Sequence, residues 1–381
     1  MTSPKSGLPT GQGLHAATAA APIPVPEPTP IAAQVAHDHA AYLQPPQDQG
    51  AFRNPWPHPP VPGFMQVLRW KTRGNTLRGP DYKTRPLALP AQAYTAFQAA
   101  PRSTTRLFWI GHASFLAELD GVRVVIDPIF GRAGGLVRRV TPAALEPEAL
   151  DDIDAVLVTH GHHDHYDPSA LRRIAQANHG RTLFVVPRGM GRGLPRECSR
   201  YVELSWWEFV RVGAIRVHFV PAQHWHQRSA FDLNRVLWGG FVLEGTHRVY
   251  HSGDTSYFGG FAAIGAVFSG IDAACLPLGA YEPRWFMSSQ HMNPDESLAA
   301  REDLRATHFV GMHWAAYDLS DEPLTAGAER ALALGAARGL GPDRLHVIVP
   351  GGSVALEGPR GATRARTTHR FLPASESLPS L

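Results

Sequence analysis

The stretch DAVLVTHGHHDHYD, Asp154 to Asp167, carries the clearest signal in the chain. Ala155–Val158 is a short apolar, β-branched run, fit for a strand buried on both faces. PSALRRIAQAN, residues 168–178, then shows helical spacing with proline at its start. Between strand and helix lie four histidines and Asp164, in the loop at a strand's carboxyl end where α/β scaffolds place their sites. Imidazole and carboxylate are the ligand types that suit zinc, and a folded chain has little structural reason to crowd imidazoles into one turn. Residues two apart in an extended turn point the same way, so His160 and His162 can share one metal. Asp164 and His165, past the bend, then face a second position.

Each position requires further ligands, and later strand ends offer them: His224 in PAQHW, Asp254 in HSGDT and His313 in GMHW. Any one of these alone is more often a hydrogen-bonded structural residue. Their recurrence after apolar strands, in this order, favours ligation. Upstream, LFWIGHASFLAEL runs into Asp120-Gly121 and then VRVVIDP, two β-rich runs around a turn dipeptide. Further strands are expected over 182–187, 215–222, 239–254, 273–280 and 308–314, with helices near 295–305 and 323–339. Strands and helices alternate, which implies sheets covered by helices. There is no internal repeat of short period.

Residues 1–50 are rich in Pro, Ala and Gln and are expected to form a disordered tail, followed by one domain over 51–370 and a flexible C-terminal tail over 371–381. Two cysteines, Cys198 and Cys275, are too few for a disulfide framework and are expected as buried thiols. The net charge of +3 comes from dispersed arginines without the dense basic runs of a nucleic-acid arm, so no nucleic-acid partner is expected. No stretch reaches the ~20 apolar residues of a spanning helix. The alanine-rich run His15–Ala21 is broken by prolines from Pro22 onward, against a secretion signal.

The pattern His-x-His-x-Asp-His followed by a distant His, Asp and His resembles the signature of the metallo-β-lactamase superfamily. That resemblance implies an α/β (α+β) fold, an αββα sandwich of two mixed β-sheets packed face to face with helices on the outer faces. It also implies two zinc ions per chain: one on His160, His162 and His224, one on Asp164, His165 and His313, with Asp254 bridging. His162 stands where di-iron members carry Glu, which favours zinc hydrolysis. A narrower resemblance, to N-acylphosphatidylethanolamine-hydrolysing phospholipases D, rests on NPWP, WIGHASFL, DPIF, NRVLWGGF and LGAYEPRWFMSSQHMNPDES, strings free of the seven ligands. His163 departs from the tyrosine of the animal enzymes.

This resemblance implies attack on a phosphodiester by a metal-bridged hydroxide, with Asp254 and His291 as catalytic residues and phosphatidic acid and N-acylethanolamine as products. Gln290 and His291 are expected to touch the substrate, and Asp127 to orient a ligand histidine from behind. His112, His251 and His308 read as core or supporting residues and not ligands. Trp206, Trp207, Trp225, Trp285, Phe286 and Met287 are candidates for an apolar approach, with Arg132, Arg138 and Arg139 toward anionic headgroups. The partners expected are a phospholipid, a peripheral membrane contact and a homodimer, in the cytoplasm or on the membrane surface. The alternative is a soluble hydrolase of the same fold that opens a lactone or cleaves a small phosphodiester.

Overall fold

In strand 105–111 the side chains alternate between two apolar environments: Leu107 and Trp109 enter the central core, while Phe108 and Ile110 enter a second cluster. Strand 155–157 does the same, with Ala155 and Leu157 on one side and Val156 on the other. A strand with both faces apolar must be covered twice. In this computed structural model, which describes residues 22–45, 47–75, 77, 78 and 84–373, the covers are a second sheet on one face and helix 168–177 on the other.

One eight-stranded sheet runs 364–367, 353–357, 105–111, 114–119, 122–126, 155–157, 183–187, 201–204. The other runs 27–28, 208–212, 215–220, 240–244, 248–251, 273–277, 308–312, 345–346. In each the first strands pair antiparallel and the last four pair parallel, so both sheets are mixed. Their facing sides share the main core, which includes Trp109, Phe115, Phe219 and Phe241. Helix 294–303 packs against strands 273–277 and 308–312 on the outer face of the second sheet. The layers are those of an αββα sandwich.

Helix starts follow local chemistry. Asp167 accepts from the backbone N–H groups of Ser169 and Ala170 with Pro168 in the first turn, and Asn293 and Glu296 form a reciprocal capping box. Both caps end loops that carry candidate site residues, so they fix where those loops stop.

Composition places residues 1–50 in a disordered tail, but part of that segment is ordered. Glu27–Pro28 pairs with Phe209 and Glu208, the Thr29 hydroxyl meets His218 Nδ1 at 2.8 Å, and Trp207 Nε1 donates to the Tyr42 carbonyl at 2.8 Å. An edge strand needs one bonded neighbour and a few anchors, not a core of its own. Residues 1–21 lie outside the described set. Phe371, counted with the C-terminal tail, packs its ring on Trp314 at 5.0 Å, whereas 374–381 lie outside the described residues. Cys198 and Cys275 are buried free thiols.

Candidate metal centre

Every expected ligand sits just past the carboxyl end of a strand: His160–His165 after 155–157, His224 after 215–220, Asp254 after 248–251 and His313 after 308–312. The first group leaves one sheet and the other three leave the second, and they meet at one end of the sandwich. Three residues there hold left-handed backbone rare outside glycine: His112 at φ 57°, Asp127 at 44° and His313 at 58°. Such conformations persist where the surroundings over-determine them, and they cluster at functional sites.

His160 Nε2 and His224 Nε2 lie 3.0 and 2.9 Å from the same atom, His162 Nδ1. The opposite nitrogens decide what these atoms carry. His224 Nδ1 faces the Gln290 carbonyl at 3.0 Å, which only accepts, so Nδ1 holds the proton. The Thr159 hydroxyl donates to Asp127 Oδ2 at 2.6 Å and is left to accept from His160 Nδ1 at 3.0 Å. Both Nε2 atoms therefore present lone pairs to one nitrogen, which can supply a single proton at most. A cation among the three satisfies all of them.

The second cluster repeats this logic. His165 Nδ1 donates to Asp127 Oδ2 at 2.7 Å, which leaves Nε2, 3.2 Å from Asp254 Oδ2, as the nitrogen that carries the lone pair once the ring is neutral. His313 Nε2 is 3.1 Å from Asp254 Oδ1 and 3.5 Å from Asp164 Oδ2. Asp254 Oδ2 is also 3.9 Å from both His160 Nε2 and His224 Nε2, so this one carboxylate touches both clusters. His165 Nε2, His313 Nε2 and Asp254 Oδ1 are buried without a hydrogen-bond partner. Unpaired buried donors and acceptors are costly, and their convergence here fits a pair of cations.

Burial holds His160 and His224 well below the usual imidazole range and His162 down at about 3, with neighbouring imidazoles adding to the shift. All three are neutral, the form that ligates. Burial also opposes charge on His165 and His313, but the Asp254 and Asp164 carboxylates outweigh it, raising His165 and pushing His313 up to about 9. Desolvation of Asp254 and Asp164 is likewise outweighed by the surrounding imidazoles, and both stay ionised. The pocket attracts positive charge between its carboxylates.

Asp127 is buried behind this layer and also accepts from Thr159 N at 2.7 Å. The imidazole of His291 lies with Nδ1 3.9 Å from Asp254 Oδ2, and burial lowers its pKa to about 4. Gln290, expected at the substrate, is engaged elsewhere: its Oε1 accepts from Trp225 Nε1 at 2.6 Å, and its backbone carbonyl orients His224. Trp206 and Trp207 are core residues bonded to the carbonyls of Trp238 and Tyr42, and of the expected aromatic approach only Trp285 is strongly exposed. Arg139 stacks 5.0 Å from the Tyr317 ring centroid with its nitrogens buried, away from headgroup reach.

His251 is bonded to the Ala113 carbonyl at 2.9 Å and His308 to carbonyls of Asp343 and Thr363, both within the core. His112 stands directly behind the ligands, as a supporting residue. Its Nε2 donates to Asp164 Oδ2 at 3.1 Å, its ring lies 4.0 Å from that of His313, and it stands within one group with Asp164, His165 and His313 whose atoms are close enough to hold a metal ion. The only sequence hint was the Gly111-His112 pair ending a strand. Arg228 was missed: it donates to the carbonyls of Gly161 at 2.8 Å and Tyr166 at 3.1 Å, clamping the histidine loop.

Comparison with known proteins bears on the family and the fold. Residues 122–314 match the model of the beta-lactamase superfamily domain. Over 273 residues, 67% of this chain and 76% of the relative, the sequence is 36% identical to N-acyl-phosphatidylethanolamine-hydrolyzing phospholipase D 1 of Caenorhabditis elegans. Over 259 residues, 65% of this chain and 95% of the relative, it is 31% identical to a metal-dependent hydrolase of Rubrobacter xylanophilus. A solved metallo hydrolase from the archaeon Ignicoccus hospitalis superposes with TM-score 0.51 at 23% identity, over 67% of this chain and 99% of that one, a likeness of fold.

Proposed function

Since this chain belongs to the beta-lactamase superfamily and is a metal-dependent hydrolase of the metallo-β-lactamase fold, we propose that it holds two zinc ions and hydrolyses N-acylphosphatidylethanolamine-type phospholipids to N-acylethanolamine and phosphatidic acid. The observation that carries this reading is the Asp254 carboxylate, with Oδ1 against His313 and Oδ2 against His165, His160 and His224. His160, His162 and His224 would hold one ion, Asp164, His165 and His313 the other, and Asp254 both. The cysteine-free nitrogen and oxygen donors suit zinc in a hydrolytic site. The worm relative's name supports the substrate class.

Divalent cations held by these seven side chains would supply the chemistry of such centres, lowering the pKa of a bound water toward neutrality and polarising a phosphoryl oxygen. The protein's own part is positioning. Asp127 and the Gln290 carbonyl keep His165 and His224 in their ligating tautomers. His291, neutral near pH 7 and with Nδ1 unpartnered, is placed to hydrogen-bond a phosphoryl oxygen beside Asp254. The bond from phosphorus to the N-acylethanolamine oxygen breaks, water supplies the new oxygen on phosphorus, and its proton passes to the departing oxygen.

Two surfaces support a lipid. A groove of about 520 Å³, lined by Tyr42, Trp56, Pro57, Pro59, Tyr257 and Phe258, reaches Gln223 and Ser288, sequence neighbours of His224 and the His291 loop. Helix 64–73 exposes Met65, Val67 and Leu68 beside Arg69 and Arg73, whose guanidinium groups lie 5.1 and 5.8 Å from the exposed Trp285 ring. An apolar ridge with basic and tryptophan side chains suits an anionic membrane surface, at about 1 kcal/mol per basic residue. No helix among the described residues is long and apolar enough to cross a membrane, so the proposed contact is peripheral.

The decisive assay incubates the zinc-loaded protein with labelled N-acylphosphatidylethanolamine in mixed micelles. Release of labelled phosphatidic acid is expected. Brisk cleavage of a lactone or nucleotide ester with no turnover of the lipid would overturn the reading.

A further inference from the structure

On the flank of the sheet that carries His313, helix 326–337 and the last strand, 345–346, enclose one side of a cavity of about 460 Å³. Leu332, Ala336, Leu340, Leu345, Val347 and Leu372 supply apolar walls. One charged side chain lines it, Arg370, whose guanidinium donates to the Leu345 carbonyl at 3.2 Å and to the Pro342 carbonyl. The nearby acid, Asp343, lies 3.9 Å from Arg344 and acts on Arg370 only through space, with no ion pair between them. Arg370 thus has carbonyl partners and no carboxylate in ion-pair contact among the described residues, at the wall of an otherwise apolar space.

We propose that this cavity binds a single long acyl chain ending in a carboxylate, with the chain along the leucines and the head at Arg370. The volume is within the range of small-molecule sites, and apolar walls with one convergent polar group are their usual composition. Apolar walls reward each methylene taken from water. The guanidinium selects for the charged end, since a carboxylate supplies the anion that two carbonyls do not. The site is separate from the metal centre but linked to it. Phe371, which also lines the cavity, packs edge-on to Trp314, the neighbour of His313, and Trp314 stacks on Trp109, whose Nε1 donates to the His112 carbonyl at 2.8 Å.

The test uses the full, metal-loaded chain and the displacement of a fluorescent fatty acid by dodecanoate, with dodecanol as the uncharged comparison. Saturable binding of one dodecanoate per chain is expected. Ala336→Trp, which fills the cavity from the helix surface, should weaken it by about tenfold or more, while Ala333→Trp, exposed on the same helix and outside the lining, should not. Arg370→Gln should weaken dodecanoate by roughly tenfold and leave dodecanol unchanged. Equal binding by Ala336→Trp, or binding that vanishes when the metals are removed, would overturn the assignment. So would binding seen only in a chain ending at Pro373, since residues 374–381 would then be the occupant. Hydrolysis plays no part in the readout, so failure of the proposed lipid turnover would leave this result standing, and Ala336→Trp should keep whatever hydrolytic rate the wild type has.

Discussion

Asp127 belongs to neither cluster of proposed ligand atoms, yet it decides what His165 would present to a cation. In Asp127→Asn the amide oxygen still serves the Thr159 N–H, but the NH₂ then confronts His165 Nδ1–H. Relief comes from moving the ring proton to Nε2, which removes the lone pair turned toward Asp254. Chelator competition should show metal retention weakened by about 10–100-fold, and an unchanged affinity would remove Asp127 from this role. Gly161 is constrained differently. A Cβ there would strike the His226 ring, so Gly161→Ala should displace His162 and leave fewer than two ions per chain by elemental analysis. The pattern of His160 to His165 was legible because its spacing lies within one loop. His112 was not: its bond to Asp164 spans 52 residues and depends on how a hairpin meets a strand end. The Gln290 contact with Trp225 was not legible either, because a polar residue in a family-specific segment carries no sign of which distant side chain it meets.

Among the elements, the loop that carries His291 depends most on a single distant side chain. Glu322 accepts from the backbone N–H groups of Ala280 at 2.6 Å, Tyr281 at 3.3 Å and Glu282 at 3.0 Å, holding the start of the segment that leads to helix 284–287 and His291. Glu322→Ala leaves those groups to find water or nothing. A loss of about 3 kcal/mol in urea unfolding is expected, with hydrolysis falling more than metal content, because the ligands stand on other loops. Equal falls in both would place Glu322 in support of the whole centre. The buried strands around the site were readable from apolar, β-branched runs, and the helices from proline and capping signals. The edge strand Glu27–Pro28 was hidden because its backbone bonds are made to residues 208 and 209, which local composition does not reveal.

For the molecule as a whole, acid sensitivity extends beyond the metals. His346 and His308 are buried 3.1 Å apart where the parallel strands end, and burial, aided by His308 and Arg370, lowers His346 to about 3. The unfolded imidazole, near 6.5, takes up a proton that the folded one refuses, so this stability is complete above about pH 6.5 and drains as pH falls toward 3. At pH 5 the loss is about 2 kcal/mol. The stability gap between wild type and His346→Gln should narrow by that amount between pH 7.5 and 5, and a constant gap would refute the assignment. Alternation of strands and helices showed in the sequence that sheets would be covered. How two similar sheets meet is a matter of long-range pairing that no local pattern encodes. That meeting has a practical outcome. Of the proposed ligands, one sheet carries His160, His162, Asp164 and His165 and the other His224, Asp254 and His313, so neither alone would complete a cage. Captured metal thus certifies that both layers have closed on each other, and stoichiometry per chain becomes a gauge of how much of a preparation is correctly assembled.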